Sequence, residues 1–470
     1  MIALSLAEIA DILGGELRLA GADTPQTVVD GVVDTDSRVM EPGAIFVAKP
    51  GESTDGHRYV SAAVDAGAVL AIVERPVVAE VSQVVVASAV QALADLARAV
   101  VARVRAAGAL RIVGITGSNG KTTTKNFLAR ILSEEGETVA PIRSYNNEVG
   151  APLTMVRVTA DTRYLVCEFG AAGPGSIAAL AGLVEPDVAV VLMVGMAHAG
   201  GFGGIEQTAK AKSELVQSAR LGGTAVLNAD DPRVWAMREI AAERRMDVVT
   251  FGQGTAADIR AEQIEVTASG TSCTVVAGGR RTPLHLKVLG AHHVGNALAA
   301  IASAGVLGVP AEAAVARLET VEIAERWRMQ PLGGDRVRII NDAYNASPDS
   351  MAAALRTLAQ ITGPGERTVA VLGAMSELGD AAGEEHDRIG LLAVRLNIQR
   401  IVVVGPEARR LYLAVVGEGS WDGEAVHLPD QDAAFEYLRG ELRDGDRVLV
   451  KSSNSVGLRH LGDRLGESFS

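Results

Sequence analysis

"LRIVGITGSNGKTTTKNFLARILSEEG", residues 110–136, decides the fold. The β-branched run over 111–115 predicts a strand. Glycines at 114, 117 and 120 then open a turn, and a helical pattern follows that Gly136 closes. A strand feeding a glycine-rich turn and a helix is the first half of a βα unit. The turn departs from the common phosphate loop G-x-x-x-x-G-K-[ST] by one residue, because five residues separate Gly114 from Gly120. The core "GSNGKTT" keeps the chemistry. Backbone N–H groups at a helix N-terminus cradle phosphate oxygens, and the helix dipole favours the negative charge. Gly117, Asn119, Gly120 and Thr123 are assigned to the nucleotide, Lys121 to its β/γ-phosphates and Thr122 to Mg²⁺. A glycine-rich turn with a surface lysine is the plainer alternative.

The same alternation continues outward. "RYLVCEF", "DVAVVLMV" and "GTAVLN" read as further strands, a β-rich stretch follows residue 250, and "HHVGNALAAIASAGVLG" reads as a helix. Upstream, "GAIFVA" and "AVLAIVE" flank a short helix, and "SAVQALADLARAVVARVRAAG" is a long one. Downstream, "RVRIIND", "TVAVLG", "RIVVVG" and "DRVLVKSS" alternate with helices. The expectation is an α/β chain of three domains: a small N-terminal α/β unit (1–107), a central parallel-sheet nucleotide domain of P-loop type (108–325) and a doubly wound, Rossmann-like C-terminal domain (326–470). The length of 470 residues agrees, at roughly 150 residues per domain.

A net charge of −13 argues against a nucleic-acid partner, which needs clustered Lys and Arg. Two cysteines, Cys167 and Cys273, have no metal-site spacing and suit a reducing compartment. "MIALSLAEIADILGG" reads as an amphipathic helix, not a secretory signal. "DVAVVLMVGMAHAG" is shorter than the ~20 apolar residues of a membrane span. A cytoplasmic protein without membrane insertion is expected.

Three further clusters carry chemistry. In "GIEQTAKAKSELVQ", a helical wheel puts Lys212 on the face of Ile205, Thr208, Ala209, Leu215 and Val216. Either its ammonium snorkels to water, or it is buried with a lowered pKa and reacts with CO₂ to give a carbamate, a carboxylate-like metal ligand. Glu168 and His198 follow two strands at their carboxyl ends, where open α/β sheets bind ligands. Each alone could be merely solvated; together they suit a divalent cation. In "RIINDAYNASPDSM", Ser347, Pro348 and Asp349 are a helix start, which leaves Asn341, Asp342, Tyr344 and Asn345 as a polar cluster at a sheet end.

The order of "GITGSNGKTTTK", "CEFGAAGPGSI", "AHAGGFG", "AKAKSEL", "HHVGNALAA" and "INDAYNASPDSM" resembles the Mur ligase family, and the resemblance covers nearly the whole chain. The family implies three-domain, ATP-dependent, ADP-forming amide ligases of peptidoglycan synthesis. "DTDSRVMEPGAIFVAKPGESTDGHRYV", "SYNNEVGAPLT", "NDAYNASPDSM" and "LGAMSELGD" resemble the branch whose substrates are UDP-MurNAc-tripeptide and D-alanyl-D-alanine. By that resemblance Lys121, Lys212, His198 and Asp342 are catalytic. Asn296, Arg328 and Asp342 reach the nucleotide. Thr122, Glu168, His198 and carbamylated Lys212 hold Mg²⁺, with two ions expected. Ser37, Arg38, Asp55 and His57 belong to the UDP-sugar module, and Asn146, Asn147, Tyr344 and Asn345 to the remaining substrate path. Ala374 stands where an Asp is frequent, and Asn454 where an Arg is common. A monomer is expected. The alternatives are a sister ligase adding a single amino acid and a nucleotide-switch ATPase that makes no amide.

Overall fold

The computed structural model describes residues 1–51, 54–196, 203–322 and 325–470. Among them, three main sheets follow one another along the chain. The first has five strands in the spatial order Glu16–Arg18, Ser82–Val85, Ala68–Val73, Ala44–Ala48 and Val33–Asp34. Its inner strands run parallel, and Glu16–Arg18 pairs antiparallel at the edge. The N-terminal helix is shorter than its sequence pattern. Leu4–Ser5 forms a strand, and Ser5 then caps the helix Leu6–Leu13 in a reciprocal box with Glu8. The long helix Ala89–Ala107 buries Leu93, Leu96, Val100 and Val104 on one face.

The second sheet has nine strands. Arg111–Thr116 lies between Tyr164–Glu168 and Val188–Val191, each parallel to it. The chain order reverses at Arg111–Thr116, so the loop that leaves it sits at the switch point where α/β sheets bind ligands. Thr224–Asn228 and Asp247–Gly252 extend the parallel array, and an antiparallel meander from Ile259–Thr267 to Arg280–Leu286 finishes it. The strand expected over "DVAVVLMV" stops at Val191. Beyond it Met193 O accepts the Ser118 N–H at 3.0 Å, and Ser118 Oγ exchanges hydrogen bonds with Gly195, so the segment turns to support the phosphate loop. The helix expected to run to Gly136 is Lys121–Leu132.

The third sheet is parallel but for its edge strand: Gln330–Gly333, Val337–Asn341, Asp446–Lys451, Arg367–Leu372, Arg400–Val404 and Glu424–Leu428. Val, Ile and Leu fill both of its faces, as a sheet covered on both sides requires. No helix among the described residues is long and apolar enough to cross a membrane.

Candidate active site

The loop after Arg111–Thr116 opens the helix Lys121–Leu132, with Gly120 as its N-cap at φ 87°. A side chain there meets two costs. The backbone is left-handed, and a Cβ would lie 2.2 Å from Asn296 Oδ1. Asn296, on the helix His292–Val306, therefore packs directly on the loop. Gly120→Ala is expected to cost ~1–3 kcal/mol of strain and to weaken ADP binding; thermal melting and an ADP titration check both.

Lys121 Nζ donates to Gly117 O at 2.8 Å, inside its own loop. Desolvation holds this ammonium below the ordinary lysine range, opposed by Glu168 and reinforced by Arg328. Thr122 Oγ1 lies 3.0 Å from Ser144 Oγ, and Ser144 also accepts from Arg328 at 3.0 Å. Glu168 ends the strand Tyr164–Glu168 and is 1% exposed. Its Oε1 accepts from Asn146 Nδ2 at 2.7 Å, while Oε2 is buried with no hydrogen-bond partner among the described residues. A buried carboxylate oxygen left open in this way fits a cation. Among the described residues no group of three or more His, Cys, Asp or Glu side chains forms a ready-made metal centre. Mg²⁺ fits such a site, since it takes one or two protein carboxylates and completes its shell with phosphate oxygens and water. His198 lies outside the described residues.

Lys212 is 2% exposed, so the snorkelling alternative fails. Burial, and then the charge of Lys121, push its ammonium down to about 7 from an ordinary 10.5, with Glu214 opposing. Between those two values the unfolded chain holds a proton that the folded chain lacks. Stability from this group therefore rises with pH across that window and is lost as pH falls through about 7. The stability of Lys212→Met is expected to rise less steeply above neutral pH than that of the parent, as denaturant titrations at several pH values will show.

The third sheet supplies the facing wall. Asp342 follows Val337–Asn341, accepts the Met329 N–H at 2.9 Å and pairs with buried Lys451 at 2.5 Å. Lys451 also donates to Asn345 O at 3.1 Å. The Arg328 guanidinium lies 4.0 Å from the centre of the Tyr344 ring. Trp327 and Met329, on either side of Arg328, have φ 63° and 47°, in the left-handed region. The helix Pro348–Ile361 docks its start on the loop region. Ser347 Oγ donates to Asn119 Oδ1 at 3.3 Å, and Asp349 Oδ2 accepts the Met196 N–H at 3.0 Å. These contacts enclose a cavity of about 910 Å³.

That cavity brings together Asn119 to Thr123, Asn146, Asn147, Glu168, Lys212, Asn296, Arg328, Asp342, Tyr344 and Asn345. Asn147 also works within the fold, since its Oδ1 accepts from Gly150 N at 2.8 Å. The four residues assigned to the UDP-sugar module line no part of it. Arg38 pairs with Asp36, and Ser37 starts a single 3₁₀ turn beside it. Asp55 caps the turn Gly56–Tyr59 and pairs with His57 and Arg75. Both ring nitrogens of His57 are committed. Nε2 accepts the Glu74 N–H at 2.8 Å, so the proton sits on Nδ1, which donates to Asp55 at 2.7 Å. In this arrangement His57 fixes the turn.

Sequence reasoning missed Ser144, Lys451, His292, His293 and the contact of Asp349. His293 is buried, with Nδ1 3.4 Å from Asn296 Nδ2 and Nε2 unpartnered, and burial pushes its pKa well down, so the ring is neutral. The His292 and His293 rings lie 4.1 Å apart. Lys451 was findable, as the charge that follows the apolar run Val448 to Val450 at the carboxyl end of its strand. Of the two departures, Ala374 is buried, and its carbonyl accepts the Ser453 N–H at 3.0 Å. Arg459 donates to both the carbonyl and the side chain of Asn454.

The chain matches family models in three consecutive stretches: "Mur ligase family, catalytic domain" over 31–112, "Mur ligase middle domain" over 115–304 and "Mur ligase, glutamate ligase domain" over 327–454. It is similar to the UDP-N-acetylmuramoyl-tripeptide–D-alanyl-D-alanine ligase of Mycobacterium tuberculosis, at 42% identity over 505 residues, covering 99% of this chain and 98% of that protein. Among solved structures it is similar to MurF from Acinetobacter baumannii, with a TM-score of 0.87, 31% identity and 99% of each chain covered. It is also similar to the MurF ligase from Thermotoga maritima in complex with ADP, with a TM-score of 0.78, 26% identity, 93% of this chain and 98% of that one covered. A phosphate loop at the switch point, faced across one cavity by the start of a third sheet, thus has full-length relatives in sequence and in structure, and the chain belongs to the Mur ligase family.

Proposed function

We infer that the chain is an ATP-dependent, ADP-forming ligase that joins D-alanyl-D-alanine to the terminal carboxylate of UDP-MurNAc-tripeptide in peptidoglycan precursor synthesis. The observation that carries this reading is the single cavity walled by the phosphate loop on one side and Asp342 to Asp349 on the other, in a chain 42% identical over its length to a ligase of that name. A carboxylate is a poor acyl donor, because its leaving group would be oxide. Attack of its oxygen on the γ-phosphorus of ATP forms an acyl phosphate and releases ADP. The amine of D-alanyl-D-alanine then attacks the acyl carbon, and phosphate leaves with the electron pair.

The chain's own part is charge, position and exclusion of water. Lys121 leaves the Gly117 carbonyl and meets the β/γ-phosphates, stabilising charge on the transferring group. Asn296 and Arg328 hold the nucleotide, and Asp342, fixed by Lys451, orients its side of the cleft. Glu168, Thr122, His198 and Lys212 as a carbamate are the residues assigned to hold Mg²⁺, as two ions, which when bound would neutralise charge between the carboxylate and the γ-phosphate. Asn146, Asn147, Tyr344 and Asn345 guide the muramoyl-peptide and its acceptor. Ser37, Arg38, Asp55 and His57 belong to the UDP-sugar module. We assign 1–107 to this module, 108–325 to ATP and 326–470 to the closing domain of a cytoplasmic monomer.

Phosphate release from MgATP with UDP-MurNAc-tripeptide is expected to require D-alanyl-D-alanine and to yield the UDP-MurNAc-pentapeptide by mass. Release supported as well by a single amino acid points to a sister ligase, and release indifferent to any amine defeats the reading.

A further inference from the structure

A second cavity, of about 550 Å³, lies at the opposite end of the central sheet. Its wall includes four arginines: Arg105, at the end of the long helix Ala89–Ala107; Arg111, which opens the strand Arg111–Thr116; Arg163, just before Tyr164–Glu168; and Arg220, just after the helix Ile205–Ser218. No acidic residue among the described ones lines it. The nearest compensation is Asp187, whose carboxylate meets Arg105 at 3.2 Å and Arg220 at 3.1 Å and also accepts the Ile112 N–H. Among the described residues Arg111 and Arg163 have no carboxylate partner at all. Arg163 donates to the Glu135 carbonyl and lies over the Tyr164 ring. Arg105 Nε is buried with no acceptor among the described residues.

Four guanidiniums against one carboxylate is a local surplus of positive charge in a chain of net charge −13. A solvated surface intersperses charges of both signs, and an unpaired buried donor calls for an acceptor. The planar fork of Arg matches phosphate oxygens two at a time, and a concave pocket of this volume is the size of a small-ligand site. The chain's net charge of −13 argues against a nucleic-acid backbone as the occupant.

We propose that this cavity is a binding site for a soluble, multiply charged phosphorylated anion, distinct from the ATP site. Strands of five and six residues separate the two, which is about 17–20 Å. The ligand bridges the end of the long helix that follows the first sheet and the beginnings of the strands that carry the phosphate loop and Glu168. It therefore ties the N-terminal unit to the central sheet. This inference does not depend on the ligase reading.

The test uses the full chain with MgADP saturating the phosphate loop, and inorganic pyrophosphate as the probe in calorimetry. One pyrophosphate is expected to bind per chain, more weakly as ionic strength rises. Arg111→Glu is the variant of choice, because Arg111 is exposed and makes no side-chain hydrogen bond among the described residues. It is expected to weaken pyrophosphate at least about tenfold while leaving the MgADP affinity unchanged. Arg163→Gln, which keeps a polar side chain, is expected to weaken it in the same direction. No binding at millimolar pyrophosphate, binding that MgADP abolishes, or binding indifferent to both variants overturns the proposal. So does sedimentation with phosphatidylglycerol vesicles that Arg111→Glu abolishes while free pyrophosphate fails to bind, which would make the ligand a lipid headgroup.

Discussion

Lys121→Ala is expected to lower acceptor-dependent phosphate release by a factor on the order of 10³ or more, with little change in thermal stability. The transferring phosphoryl group gathers negative charge that Lys121 is placed to offset. Its ammonium is held inside the phosphate loop by a single carbonyl, Gly117 O, and is already partly desolvated. Removing it deletes one hydrogen bond but also an ammonium disfavoured by its surroundings, so the two effects on folding oppose each other. Lys121→Arg is not expected to restore the rate, because a planar fork does not replace a compact ammonium in a cradle this tight. Single-turnover phosphate release beside a melting curve separates the two quantities. A variant that melts like the parent and turns over within tenfold of it would remove Lys121 from the chemistry.

Lys212→Ala is expected to lower kcat by roughly 10²–10³-fold, with partial recovery in acetate or formate. At about 7 its ammonium loses its proton near neutral pH, so a large share of the side chain is free amine. A free amine attacks CO₂, the new N–C bond forms, and one proton leaves to solvent. The product is a carbamate with one negative charge where a cation had been. That inversion suits its place in the cavity with Lys121 and Glu168. A small carboxylate diffusing into the space left by alanine supplies the same charge, whereas Lys212→Arg, which cannot be carbamylated, gains nothing from it. Protein equilibrated with ¹³CO₂ is expected to show one carbamate carbon that Lys212→Ala lacks. Absence of that resonance together with absence of rescue would make Lys212 a buried spacer.

The phosphate loop was legible because everything that makes it is local: a strand, three spaced glycines and the first turn of a helix, all within a few residues. Glu168 was legible for a similar reason, since strand ends can be placed by pattern and sheets bind at those ends. Lys212 was half legible. The wheel gave its face, but only packing shows that the ammonium stays inside. The contacts that close the cavity were not legible. Ser144 meeting Arg328, and Asp349 meeting Met196, join residues more than a hundred positions apart through two separate sheets. In the first sheet, family resemblance assigned Asp55 and His57 to substrate, yet pattern could not reveal that the His57 ring is already filled by Asp55 and the Glu74 backbone.

The walls of the large cavity belong to two sheets, joined through a short segment in which Trp327 and Met329 hold left-handed backbone. A compound that touches only the phosphate-loop wall has an affinity set by that wall. A compound that touches both must also draw on the equilibrium that brings them together, so its apparent affinity scales with the fraction of molecules already assembled. Substituting Trp327, which does not line the cavity, with glycine relieves the left-handed backbone there and should therefore shift every two-wall inhibitor by one common factor and leave one-wall inhibitors where they were. Such a pair of compounds reports on the poise of the joint in the free enzyme, and it marks Trp327 as a place where resistance can arise without any change in the residues that line the pocket.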